Sequence, residues 1–399
     1  MYRIVTLIIA AGAAAAIGAQ ARAAAPQSAS AAASATPAAA AGTANPLLRP
    51  SPLPFQAPPF DKIKDGDFQP AIEEGMRQQL AEVEAIANNP AAPTFQNTIV
   101  AMEKTGDLLN RAEMVFGLLT SANTDPTLQQ VQQTEAPKLA AHNDAIFLNP
   151  KLWARVKTIY GQRDKLKLDP ESARLLWYYH EQFVHAGANL SEADKAKLKK
   201  LNEEAASLSS TFVNKLLAAT KDGALVVSDK SELAGLSDGE IEAAAEAAKA
   251  RGLKDKWVIP LQNTTQQPAL NELTNRATRH ELFENSWTRA EKGNADDTRA
   301  TIAKLAKVRA EKAKLLGYPD FAAWKLTDQM AKTPQTVDNF LSELVGPSTA
   351  TARQEAEALQ KLIDASGNTF TLEPWDWEYY AEKLRAKKYD FNEDSVKPY

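Results

Sequence analysis

From Asp67 onward, apolar side chains recur at intervals of three and four, a period that fits amphipathic helices packed on a shared core and excludes a β-rich fold. Asp67 can cap a helix whose Ile72, Met76, Leu80, Val83 and Ala87 share one face, before Pro90 stops it. The longest such run follows Ser191, with Asp194 three residues on as a capping pair, and carries Leu198, Leu201, Ala205, Leu208, Phe212, Leu216 and Ala219. The spacing holds for only about three heptads, which favours an ordinary packed helix over a coiled coil.

Two short runs break the pattern. Ala224 to Val227 and Trp257 to Leu261 favour extended backbone and flank a helix from Ser237 to Ala250 that ends at Gly252; Pro260 confines the second run to an edge strand or loop. Helices resume from Asp297 to Leu316, stopping at Gly317, then from Thr333-Pro334, and finally from Glu378 to about Lys388. No fixed-period repeat is present, which argues against a solenoid.

The N-terminal end has a different composition. Arg3, an apolar run from Ile4 to about Ala19 and the small residues up to Ala21-Arg22-Ala23 form a signal-peptide pattern over residues 1–25, with an uncleaved anchor as the alternative. The expected location is therefore exported, in the periplasm, with no stable membrane insertion after cleavage. Residues 26–44 are almost wholly Ala, Ser, Pro, Thr and Gly and read as a linker. Asn45 to Phe60 mixes six prolines with large apolar residues, as suits an extended arm pinned to a surface. The remaining length divides into an N-terminal helical lobe, 45–265, and a second helical domain, 266–399. The 46 Lys and Arg against 50 Asp and Glu give a net charge of −4 without a basic block, which excludes a nucleic-acid footprint.

The chain has no cysteine, so any zinc site must be built from four histidines and carboxylates. His180-Glu181-Gln182-Phe183-Val184-His185 resembles the metalloprotease motif H-E-x-x-H with one residue too many. At about 100° per residue, histidines five apart point about 140° from each other, and only a one-residue bulge in the helix could aim both at one ion. The competing reading makes Leu176, Tyr179 and Phe183 a buried stripe with His180 and His185 at its margins. His280-Glu281-Leu282-Phe283-Glu284 lacks the second histidine; His280 falls in line with Leu270, Leu273, Ala277 and Trp287 and reads as a partly buried helix residue with a hydrogen-bond partner. His142 has no ligand-spaced neighbour, and the pairs Glu73-Glu74 and Glu203-Glu204 read as solvated helix faces. Phosphate-binding loops, G-x-G-x-x-G and G-x-S-x-G are all missing.

Six stretches carry a family resemblance in order along the chain. They are Asn45 to Met76, Asn89 to Glu103, Phe183 to Phe212 (FVHAGANLSEADKAKLKKLNEEAASLSSTF), Lys256 to Leu270 (KWVIPLQNTTQQPAL), Asn294 to Pro334, and Glu373 to Tyr399 (EPWDWEYYAEKLRAKKYDFNEDSVKPY). Together they resemble the N-terminal half of bacterial peptidyl-dipeptidases, dipeptidyl carboxypeptidases of the thimet oligopeptidase family of zinc metallopeptidases. The resemblance implies a mainly α fold: a multi-helix, two-lobed peptidase architecture with a minor β-hairpin. It also implies an enzyme that releases dipeptides from the C-terminus of short oligopeptides, with zinc held by H-E-x-x-H and a downstream Glu.

That motif lies, in the family, beyond the region resembling Glu373 to Tyr399, and the 399 residues contain no H-E-x-x-H. The expectation is thus a chain with a truncated catalytic lobe, inactive alone, with no catalytic or metal residue assignable and no zinc of its own. Its partners would be short oligopeptides and a C-terminal half encoded separately. The alternative is a non-catalytic helical peptide-binding protein, or an inert fragment.

Overall fold

A computed structural model describes residues 45–262 and 266–389. The signal-peptide and linker expectations for residues 1–44 lie outside the described residues. Contact density divides the chain into two compact units, Met1–Ser209 and Ser210–Tyr399. The expected division at 265/266 rested on composition and resemblance; the division by contacts falls inside one long helix.

In the first unit, α1 (Phe68–Ala87) is followed by a π-helical turn (Phe95–Val100), α2 (Ala101–Glu103), α3 (Asp107–Ala122), α4 (Pro126–Phe147), α5 (Pro150–Gly161), α6 (Pro170–Ala186) and the start of α7 (Glu192–Asp222). Ile72, Met76, Val83 and Ala87 of α1 are buried as their spacing predicts, and Leu80 is half-buried. Asp67 stands at the cap position, yet its carboxylate turns back to accept the Lys64 N–H at 2.8 Å and closes the preceding turn instead. α1 crosses α3 so closely that a side chain at Gly75 would meet the Leu109 backbone at 2.7 Å.

Two apolar cores result. One joins Leu47, Phe68, Ile72, Leu109, Phe116 and Leu128, so the proline-rich arm is pinned at its start: Leu47 is buried, Asn45 Nδ2 donates to the Asp67 carbonyl at 2.7 Å, and Arg111 Nε donates to the Leu47 carbonyl at 3.1 Å. Beyond that point the arm is less attached than expected, with Leu53, Phe55 and Phe60 exposed. The other core joins Val83, Ile99, Met102, Leu152, Trp153, Val156, Leu176 and Phe183. Arg155 of α5 stitches its edge, donating to the carbonyls of Asn89 and Ala91 at 2.9 and 3.1 Å and to Asn97 Oδ1 at 2.9 Å. These bonds satisfy carbonyls that the break after α1 leaves open.

α7 starts as its sequence requires: Ser191 Oγ accepts the Asp194 N–H at 3.2 Å and donates to the Asp194 carboxylate at 2.9 Å. Of its stripe only Leu198 and Ala219 are buried, the rest half-buried.

The second unit continues with β1 (Leu225–Val227), α8 (Asp238–Lys249), β2 (Trp257–Ile259), α9 (Gln266–Glu272), α10 (Arg276–Trp287), α11 (Arg299–Leu315), α12 (Phe321–Leu326), α13 (Pro334–Ala365) and α14 (Trp377–Tyr389). β1 and β2 pair antiparallel in the register Leu225↔Ile259, Val226↔Val258 and Val227↔Trp257. The expected minor β element is therefore present, with α8 in the connection where a simple hairpin would have a tight turn. Pro260 follows β2 directly and ends the ladder, because it has no N–H to donate. Leu225, Val227, Leu233, Ile259, Leu270, Leu273 and Leu282 form the core beside this sheet.

Three glycines end helices by the same device. At Gly187, Gly252 and Gly317, φ is +96°, +72° and +86°, and the next N–H reaches back to a carbonyl: Ala188 to Phe183, Leu253 to Ala248 and Tyr318 to Ala313. The fold is mainly helical, as the periodicity predicts.

Candidate functional site

The histidine-bearing helices are where the sequence places any chemistry. In α6, Asp169 caps the start by accepting the N–H groups of Glu171 and Ser172, both at 3.0 Å, and Pro170 occupies the first turn. Gly187 ends it, so residues 170–186 form an α-helix without a bulge. His180 and His185 consequently diverge by about 140°. Leu176, Tyr179 and Phe183 form the buried stripe, with Phe183 stacked on Trp153 at 5.6 Å and Tyr179 Oη donating to Glu103 Oε1 at 2.6 Å.

His180 sits at the margin of that stripe with specific neighbours. Its ring stacks on Tyr160 at 3.7 Å and 14° and tilts against Trp153 at 5.3 Å, while Nδ1 lies 2.9 Å from Glu181 Oε1. Glu181, which would be the general base in an H-E-x-x-H site, is thus engaged by its own neighbour. His185 lies half-buried in the last turn.

The expected face of α10 is incorrect. Leu273 is buried, but Ala277, His280 and Trp287 are exposed, and the inward face is Thr278, Arg279 and Leu282. The reason is a break: α9 ends at Glu272, and Asn275 caps a new helix by accepting the N–H groups of Ala277 and Thr278 at 3.0 and 3.3 Å. Phase carried from Leu270 and Leu273 is lost at that break. His280 lies outside, against the Trp375 ring at 4.0 Å, with Nε2 3.9 Å from Glu284 Oε1.

His142 of α4 is buried among unit-one helices, with Nε2 2.7 Å from Gln79 Oε1; burial pushes its pKa below the ordinary value, favouring the neutral ring. Glu135, seven residues earlier on the same helix, is also buried, and desolvation raises its pKa although Lys138 Nζ donates to it at 2.9 Å. Of the carboxylate pairs read as solvated, Glu74 holds Arg77 in a bidentate pair, with both bonds at 2.7 Å, and Glu73 pairs with Lys138.

Among the described residues no three His, Asp or Glu side chains converge as metal ligands. A cavity of about 230 Å³ beside α5 and α6 is lined by Tyr160, Arg163, Asp164, Leu168 and Trp177, and one of about 580 Å³ between the starts of α1 and α4 by Gln69, Pro70, Glu73, Thr127 and Gln130. No histidine lines either.

Sequence reasoning missed a highly connected polar cluster. Asp376, fully buried in the turn before α14, receives Arg276 Nε and Nη2 at 3.0 and 2.8 Å and Arg279 Nη2 at 2.9 Å. Arg279 also donates from Nη1 to the Leu273 carbonyl at 2.7 Å and lies 4.2 Å over the Tyr379 ring. The cluster joins α9, α10 and α14. Its one sequence signal is that Asp376 lies in the stretch Glu373 to Tyr399, which carries the family resemblance.

All of that cluster falls within a segment recognisable by comparison: residues 269–399 match the profile of peptidase family M3. Over that segment the chain is similar to this family of peptidases. It is 50% identical to the dipeptidyl carboxypeptidase of Escherichia coli K12 over 357 residues, covering 90% of this chain and 52% of the relative, and equally similar to that of Salmonella typhimurium. A probable cytosolic oligopeptidase A of Arabidopsis thaliana is 28% identical over 90% of this chain and 51% of its own length. The chain therefore spans about half the length of these relatives. No helix among the described residues is long and apolar enough to cross a membrane.

Proposed function

We propose that this chain serves a peptidyl-dipeptidase, a zinc enzyme that releases dipeptides from the C-terminus of short oligopeptides. The observation that carries the reading is 50% identity, over 90% of the chain, to proteins named dipeptidyl carboxypeptidase. The catalytic zinc and the H-E-x-x-H that holds it belong to polypeptide outside these 399 residues. The chain supplies helical scaffold, and by itself it neither binds zinc nor cleaves peptides.

The test is incubation of the purified chain with an N-terminally blocked tripeptide, with and without added zinc. No dipeptide release is expected. Chelator-sensitive release would overturn the claim of inactivity, and calorimetric heat with oligopeptides but no turnover would favour a peptide-binding protein.

Export to the periplasm is part of the same proposal. N-terminal sequencing of protein recovered from the periplasm should begin at Ala24 or Pro26, after cleavage at Ala23 or Ala25. Recovery of an uncut chain from the cytoplasm alone would reject it.

A further inference from the structure

All of the lining of the cavity beside α5 and α6 comes from a single stretch of chain, Tyr160 to Trp177. α5 ends at Gly161, a short helical turn runs from Arg163 to Lys165, and Pro170 opens α6. In the connection Lys167 holds φ at +49°, a left-handed backbone that L residues adopt only at a cost, and Leu168 directly after it joins the cavity wall. Strain of this kind persists where the surrounding structure fixes it, and such positions cluster at ligand sites.

The aromatic walls are held in place. The Tyr160 ring is stacked on His180 at 3.7 Å, and the Arg163 guanidinium lies 4.8 Å from the same ring. Arg174 lies 3.8 Å over the ring of Trp177. These contacts fix both rings before any ligand arrives, which lowers the entropy that binding must offset.

The charge at the cavity is available to a ligand. Arg163 Nη1 donates to the Tyr160 carbonyl at 3.2 Å, but its ion-pair partner Asp164 stands 3.9 Å from Nε, too far for a hydrogen bond. The Asp164 side chain is 88% exposed and faces water. The guanidinium therefore keeps donors for an anion, in the planar fork that suits a carboxylate. Leu168, Ala173 and Leu176 give the lining its apolar part. A volume of about 230 Å³ lies below the roughly 300 Å³ at which pockets for drug-sized ligands begin, so the ligand is small.

We propose that this cavity binds a small carboxylate bearing a short apolar group, with the carboxylate on Arg163 and the apolar group against Leu168, Ala173 and Leu176. Two sources share this chemistry: the C-terminal residue of a peptide and a free aliphatic acid. The site stands apart from the proposed function, since every residue in it precedes the segment that matches peptidase family M3.

The experiment is a titration of the full chain carrying isotope-labelled tryptophan, followed by NMR of the indole N–H signals. The Trp177 signal is assigned by its loss in Trp177→Phe. N-acetyl-leucine represents the peptide end and isocaproate the free acid; N-acetyl-leucinamide lacks the charge and acetate lacks the apolar group. A shift of the Trp177 signal with a Kd of about 1 mM or tighter is expected for N-acetyl-leucine or isocaproate, and the tighter of the two names the source. The amide and acetate should bind at least about 10-fold more weakly.

Arg163→Gln should weaken binding by about 10-fold or more, and Ala173→Leu should abolish it by filling the cavity. Both positions are exposed, so the circular dichroism of each variant should match wild type. Lys165→Gln, in the same turn but off the lining, should leave the affinity unchanged. Absence of a shift with either carboxylate at about 10 mM overturns the proposal. So does equal binding of the amide or of acetate, or binding indifferent to both Arg163→Gln and Ala173→Leu.

Discussion

Arg279 and Asp376, ninety-seven residues apart, meet as a buried ion pair at 2.9 Å, with 2 and 0% of their side chains exposed. A charge pair so enclosed persists because its other polar atoms are also served: Arg279 by the Leu273 carbonyl, Asp376 by Arg276 and by the Glu373 N–H. It ties the turn before α14 to the start of α10.

Asp376→Ala is expected to destabilise the chain by about 3–5 kcal/mol, because it leaves the Arg279 guanidinium buried without its counter-charge. Arg276→Ala, whose side chain reaches solvent, should cost roughly 1–2 kcal/mol. Urea unfolding measures both, and equal losses would mean that burial of Arg279 is not what matters.

Gly75→Ala is expected to lower stability by about 1–3 kcal/mol, since the added carbon would lie 2.7 Å from the Leu109 Cα and force α1 from α3. Gly117→Ala, with open space around it on α3, should instead gain up to about 1 kcal/mol from helix propensity. Thermal melts of the two variants should therefore shift in opposite directions.

His142 gives the fold a pH dependence of definite sign. Its pKa is lowered from 6.5 by burial, so the folded state binds the proton less readily than the unfolded chain. Its contribution is fully present above pH 6.5 and is lost as pH falls through the lower folded value. Between pH 7.5 and 5, wild type should lose more stability than His142→Gln, as followed by denaturant titrations at each pH; parallel curves would refute this.

His180→Ala should cost about 1 kcal/mol through loss of the Tyr160 stack. Zinc content after dialysis should be far below one ion per chain in wild type and variant alike. Stoichiometric zinc that disappears with His180 would restore this histidine as a ligand.

Several helix ends were legible because their signals are local. Ser191 with Asp194, Ser237 with Glu240, Thr333 with Pro334, and Gly187, Gly252 and Gly317 all act within a few residues, and each stands where its chemistry requires. The stripe of α6 was equally readable, since Leu176, Tyr179 and Phe183 lie on one unbroken helix. The face of α10 was misread because Asn275 restarts the helix between Leu273 and His280. Periodicity holds its phase only within one continuous helix.

The sequence by itself determined that this chain is mainly helical, where several of its helices begin or end, and that two histidines five apart on a regular helix diverge. Those properties follow from backbone geometry and local capping. Only the tertiary structure decided that Arg279 faces inward while His280 faces out, that Arg155 closes the edge of one core, and that Arg163 and Trp177 line one cavity. Such outcomes depend on partners as far off as Asp376, and no local periodicity encodes which distant side chain will meet a given face.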